Sequence, residues 1–264
     1  CNDEIKPTPG YTITTVQYTP YDMCEGGGAS AGSGDGSGVT TAPYNGGYNG
    51  GGTLQVYVDP CDRIKKSTEN SIYKADVTDL QGKTGLDHEE GYRLDNPIPN
   101  SGQTGIQNQT LPIIPGSNQI GFSVDGNTFA LIHTHYDGLY PIFSPGDLIS
   151  YNQWISQAIA WNAVPSNTPK ISVNDLTVTV VTSQGSDLIA FEGATTNAFP
   201  NYSEDEITDF NRKYEESLSG TLIVGSNLYD MQKLEQEFLS FISTKMNMIG
   251  LKLYRVKSDG NYEI

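Results

Sequence analysis

The sequence predicts an α/β (α+β) domain over residues 53–264, preceded by a flexible, glycine-rich N-terminal tether over residues 1–52. Three observations predict this. Stretches of β-branched and aromatic residues alternate with stretches whose apolar residues recur at helical spacing. Two Ser-x-x-acid signatures mark helix starts. Residues 26–52 hold twelve glycines and almost nothing that fills a core, so no burial offsets the entropy of ordering them.

In chain order, "TLQVYV" is a short alternating run, followed by a helix from about Pro60 with Ile64 as its apolar contact and a second helical piece near Tyr73 to Leu80. From Gly91 the texture turns to strands: "GYRL", then "QIGFSV" and "TFALIHTH", the last two joined at Asp125-Gly126-Asn127 as a hairpin. The next helix start carries several signals together: Ser144 as N-cap, Pro145 at the first helical position and Asp147 at the third. That helix runs through "LISYNQWISQAIAW" with Leu148, Ile155 and Ile159 on one stripe. "DLTVTVVTS" and "DLIAFEG" read as a hairpin around Gln184-Gly185-Ser186, and Ser203 with Glu206 forms the second capping box. A helix over about Tyr229–Met246 buries Met231, Leu234, Phe238, Phe241 and Ile242, and "IGLKLYRV" is the final strand.

Composition narrows the partners. Thirty-one acidic against fifteen basic residues give a net charge of −16, a field that repels phosphate backbones, so nucleic acid is not expected as a partner. No apolar run approaches the roughly 20 residues of a spanning helix. The opening "CNDEIKPTPG" resembles a bacterial lipoprotein after leader removal, with a lipid on Cys1 as the expected membrane contact and the cell envelope, outer membrane or cell surface, as the expected location. Cys24 and Cys61 flank the glycine-rich stretch, and whether they pair stays open.

The stretch "ALIHTHYDGLYPIFSPGDL", residues 130–148, carries two of the three histidines. Residues two apart on a strand face the same side, so His133 and His135 present both imidazoles together. Asp147 follows at the first turn of the next helix and offers a third ligand, leaving a fourth position free as in catalytic zinc sites. Metallo-β-lactamase-type chemistry needs a histidine where Gly138 stands, and neither H-E-x-x-H nor C-x-x-C occurs.

H-x-H followed by S-x-x-D, with a glutamate upstream, resembles the JAB/MPN-type (JAMM) metallopeptidases. The matching positions are His133, His135, Ser144 and Asp147, with eight residues before the serine where the family usually has seven, and Tyr136 where proline is common. The resemblance implies a mixed β-sheet flanked by helices and one zinc ion per chain held by His133, His135 and Asp147. It also implies a glutamate general base, Glu89 in preference to Glu90, and Ser144 as a donor to the oxyanion. The expected activity is zinc-dependent hydrolysis of an amide bond in a peptide or isopeptide substrate. A cell-surface binding or adhesion module without turnover, and a peptidoglycan cross-link hydrolase using the same zinc, are the alternatives. His88, alone in a polar loop, is not included in the site.

Overall fold

The computed structural model describes residues 14–15, 60–98, 100–167, 169–193, 202–257 and 262–263. Cys1, Cys24, the glycine-rich stretch and the "TLQVYV" run lie outside the described residues.

The elements in order are β1 (Thr14–Thr15), α1 (Pro60–Thr68), α2 (Ser71–Gln81), β2 (Gly91–Asp95), β3 (Gln107–Thr110), β4 (Thr128–Thr134), α3 (Pro145–Ala163), β5 (Thr177–Thr182), β6 (Gly185–Phe191), α4 (Glu204–Leu218), α5 (Met231–Thr244), β7 (Met248–Ile249), β8 (Leu251–Val256) and β9 (Tyr262–Glu263). The main sheet runs β3-β2-β4-β5-β6-β8-β9, while β1 pairs with β7 separately. It is mixed. β4 and β5 are parallel, and all its other neighbours are antiparallel. Parallel neighbours need a crossover, and α3 with the segment after it supplies one.

Strand alternation divides the core into two layers, because successive side chains face opposite sides. Leu131, Val178, Val180, Ile189 and Phe191 pack against α3, α4 and α5. Ala130, Ile132, Val181, Leu188 and Ala190 pack against Ile64 of α1 and Tyr73, Val77 and Leu80 of α2. The result is an α+β sandwich with helices on both faces of the sheet. Tyr73 ties α2 to the sheet by a 2.7 Å hydrogen bond between its hydroxyl and that of Thr179.

Both capping boxes form. The Ser144 hydroxyl accepts the Asp147 N–H while the Asp147 carboxylate accepts the Ser144 N–H, and Ser203 and Glu206 repeat the pattern on α4. Such caps hold an element boundary by about 1 kcal/mol each. The β5–β6 connection turns at Ser183-Gln184, with Gly185, at φ +148°, already paired to Thr182.

The expected "QIGFSV"–"TFALIHTH" hairpin does not form. β4 is paired with β2 on one side and β5 on the other, so no edge is left for a third partner. The polar groups of residues 120–123 are used elsewhere: Ile120 N–H on the Glu89 carboxylate at 3.0 Å, Gly121 N–H on Pro112 O at 2.8 Å, and Ser123 O under Arg93 at 3.1 Å. The strand beside β2 is instead the polar "QNQT" of β3. Its exposed side chains suit a position held by backbone pairing.

Candidate metal centre

β4 carries the histidines to the end of the sheet. Leu131 and His133 share the face toward α3. His135, just beyond the strand, keeps the extended path because its N–H bonds to Val181 O on β5 at 3.0 Å. Both rings are buried, with their centroids 5.2 Å apart. The capping box at the start of α3 fixes Asp147 opposite them. His133 Nε2 lies 3.1 Å from Asp147 Oδ1, and His135 Nε2 lies 3.2 Å from Asp147 Oδ2.

Among the described residues these three form a buried group able to hold a metal ion, with one donor atom from each lying within 4.8 Å of the others. Two further observations fit that role. His133 is fully buried between Phe122 and Phe143, and neither of its nitrogens has a hydrogen-bond partner despite the close approach to Asp147. A buried polar atom left unmatched costs free energy, and a metal on Nε2 would satisfy that nitrogen. The donor set also fits: two imidazole nitrogens, each facing Asp147 at 3.1 or 3.2 Å, with a carboxylate are donor types that zinc accepts.

The surroundings orient the ligands. His135 Nδ1 lies 2.9 Å from Tyr140 O, and a carbonyl only accepts, so the Nδ1 proton is placed there and Nε2 faces Asp147. Burial alone pulls His135 toward the neutral form, but Asp147, Glu89 and the Tyr140 carbonyl outweigh it and push its pKa up to about 9. Burial likewise pushes Asp147 up, yet His133 and His135 hold it well below the usual carboxylate range. Both shifts favour a charged pairing of His135 with Asp147, and a cation held there would have to displace the imidazole proton.

The two candidate glutamates separate clearly. Glu89 is buried, its Oε2 accepts the Ile120 N–H at 3.0 Å, and its Oε1 faces His135 Nε2 at 3.9 Å. Burial raises its pKa, with the imidazoles opposing and Asp147 reinforcing the rise. Glu90 turns to the other face and meets Lys83 at 3.5 Å and His88 at 3.4 Å. The divergence follows from the start of β2: Gly91 lies opposite His133, and a Cβ there would meet Ile132 O at 2.8 Å and the Ile120 and Leu111 methyls at 3.0 Å. Only glycine lets the chain lie that close, and this brings Glu89 alongside the histidines.

Ser144 stands beside the cluster with its hydroxyl donating to Asp147 Oδ2 at 2.8 Å. Its single proton is thus engaged in holding the carboxylate. His88 pairs with Asp87 at 2.9 Å and with Glu90, away from the three ligands. The structure adds residues the sequence reading did not single out: Ile120 and Tyr140, which act through backbone atoms and so carry no side-chain signal, and Phe122 and Phe143, which frame His133.

No family model matches the chain, and neither does any curated protein or solved structure. The family resemblance therefore rests on the motif residues and their spacing. No helix among the described residues is long and apolar enough to cross a membrane.

Proposed function

We propose that this chain is a zinc-dependent hydrolase of the JAB/MPN (JAMM) type that cleaves an amide bond in a peptide or isopeptide. The observation that carries the reading is the convergence of His133, His135 and Asp147 with a second, differently held carboxylate, Glu89, 3.9 Å from His135 Nε2. Glu89 is a buried acid beyond the three metal-ligand candidates, and its burial is unfavourable when it is charged.

His133 Nε2, His135 Nε2 and Asp147 would hold the zinc, whose borderline-soft character suits a mixed nitrogen and oxygen donor set. When bound, zinc supplies Lewis acidity toward water and the scissile carbonyl. Glu89 does the proton work. Ile120 N–H pins its Oε2, leaving Oε1 to accept a proton from the attacking water and return it to the leaving amine. Its raised pKa brings the carboxyl closer to the working range of such a base. Ser144 and Tyr140 O position Asp147 and His135.

The test is a pair of variants assayed against peptide and isopeptide libraries. Asp147→Ala should lose both zinc and activity, while Glu89→Gln should keep zinc and lose activity. Wild-type protein that takes up no zinc from a zinc-containing buffer would overturn the reading. So would zinc-loaded protein that cleaves no amide substrate, which would favour a binding module.

A further inference from the structure

Two surface turns repeat one another. Ile114-Pro115-Gly116-Ser117-Asn118 and Ile223-Val224-Gly225-Ser226-Asn227 share the pattern Ile-x-Gly-Ser-Asn. Gly116 and Gly225 have φ of +81° and +82°. The Ser117 N–H reaches Ile114 O at 3.0 Å, and the Ser226 N–H reaches Ile223 O at 3.1 Å. Each serine hydroxyl accepts from the N–H two residues on, at 3.2 and 3.1 Å. The stems match as well, through the Ile113–Ile120 and Leu222–Tyr229 antiparallel bridges. Both turns display aliphatic side chains to solvent: Ile113 and Ile114 in the first, and Leu222, Ile223, Leu228 and the fully exposed Val224 in the second. Neither turn carries a charge, in a chain of net charge −16.

Each turn is anchored to the candidate site. The first holds Glu89 directly, through Asn118 O on the Glu89 N–H at 2.8 Å and Ile120 N–H on its carboxylate. The second ends at Tyr229, whose ring packs 5.5 Å from Tyr140, the residue whose carbonyl orients His135. Gln184, in the β5–β6 turn, accepts the Tyr229 N–H at 2.6 Å. The sheet order therefore puts one turn on the β2 side of β4 and the other on the β5–β6 side.

We propose that these matched turns are the two walls of a substrate groove, each taking an aliphatic side chain of an extended polypeptide, one on each side of the scissile amide. The inference rests on the hydrolase reading. Scattered exposed apolar residues are ordinary, but clusters in duplicated turns that flank a catalytic-type cluster mark a contact surface. The occupant is polypeptide: the turns are tied to the proposed amide-cleaving cluster through Asn118 O and Ile120 N–H on Glu89 and through Tyr229 on Tyr140, while the negative field of the chain repels anionic lipid.

The test uses the full chain loaded with zinc and fluorogenic peptides with Leu or Val, or else Gly or Ser, on either side of the cleaved bond. Wild type should prefer aliphatic peptides by about tenfold or more in kcat/KM. Ile113→Ser with Ile114→Ser, and Val224→Ser with Leu228→Ser, should each erase the preference on one side only, with the change in KM. Binding of the same peptides to zinc-loaded Glu89→Gln, followed by fluorescence anisotropy, separates the two proposals. A preference for aliphatic peptides that the turn variants abolish supports the groove even if wild type cleaves nothing. Cleavage or binding indifferent to flanking side chains and to both variants overturns it. A dimer in sedimentation that dissociates on Val224→Ser with Leu228→Ser assigns the turns to a second copy, and phosphatidylcholine vesicle binding lost in that variant assigns them to a bilayer. Either result also overturns the proposal.

Discussion

Replacing Glu89 by glutamine separates chemistry from scaffolding. The amide has the shape of the carboxylate and retains one carbonyl oxygen, so it can still accept the Ile120 N–H, now at 3.0 Å from Glu89 Oε2. The other position, 3.9 Å from His135 Nε2, becomes an NH2 that cannot accept a proton. The fold should be unharmed, since the change removes a carboxylate whose charged form burial disfavours. Turnover should fall about 10²- to 10⁴-fold, the usual contribution of a positioned acid–base group. That equals roughly 2.7 to 5.4 kcal/mol of barrier at about 1.36 kcal/mol per tenfold. Elemental analysis should still find about one zinc per chain, and thermal unfolding should stay within a few degrees of wild type. Glu90→Gln, which disturbs the half-buried side-chain contacts with Lys83 and His88 away from the histidine pair, should change turnover less than about threefold. The reasoning is refuted if Glu89→Gln retains more than a tenth of wild-type activity, or if it loses the metal.

Three more outcomes follow from the structure. Gly91→Ala drives a Cβ to 2.8 Å from Ile132 O and should cost about 1 to 3 kcal/mol of stability. It should also lower activity by shifting Glu89; an unchanged melting temperature would contradict the close approach. Ser144→Ala removes the cap and the hydroxyl on Asp147 Oδ2, so it should lose about 1 kcal/mol in denaturant melts and bind zinc more weakly in a chelator competition. Asp187 is buried, and burial, reinforced by Glu235 and opposed by Arg255, raises its pKa well above the ordinary value. A carboxyl raised on folding binds more protons folded than unfolded, so its penalty is absent below the unfolded pKa of about 3.9 and grows as pH rises toward the folded value. Asp187→Asn should therefore raise the melting temperature at pH 7 more than near pH 4; an equal shift at both would dismiss the linkage.

Much of this arrangement was legible locally. The start of α3 is written in Ser144, Pro145 and Asp147 because a cap is satisfied by atoms within four residues of one another, and it forms as the spacing predicts. Likewise His133 and His135 face one way because strand geometry has a period of two, whatever surrounds the strand. The same short-range rules misplace residues 119–124, whose apolar content resembles a strand, while β3 is built from four polar residues. Strand pairing depends on which edge is free, and that is a property of the assembled sheet.

The separation between the histidines and Asp147, the placement of Glu89 rather than Glu90 beside them and the positions of the two Ile-x-Gly-Ser-Asn turns belong to the tertiary structure for the same reason. Neighbouring glutamates in an extended chain face opposite sides, and the close packing of Gly91 opposite His133 helps bring Glu89 near the imidazoles. The backbone groups that hold the site, Ile120 N–H and Tyr140 O, are present at almost every residue and become specific only when folding aims them. The donor types, their local spacing and the caps can be read along the chain, because they depend on contacts a few residues long. Tertiary structure decided which donors meet and which acid stands beside them, because such distances are set by packing between segments far apart in the chain.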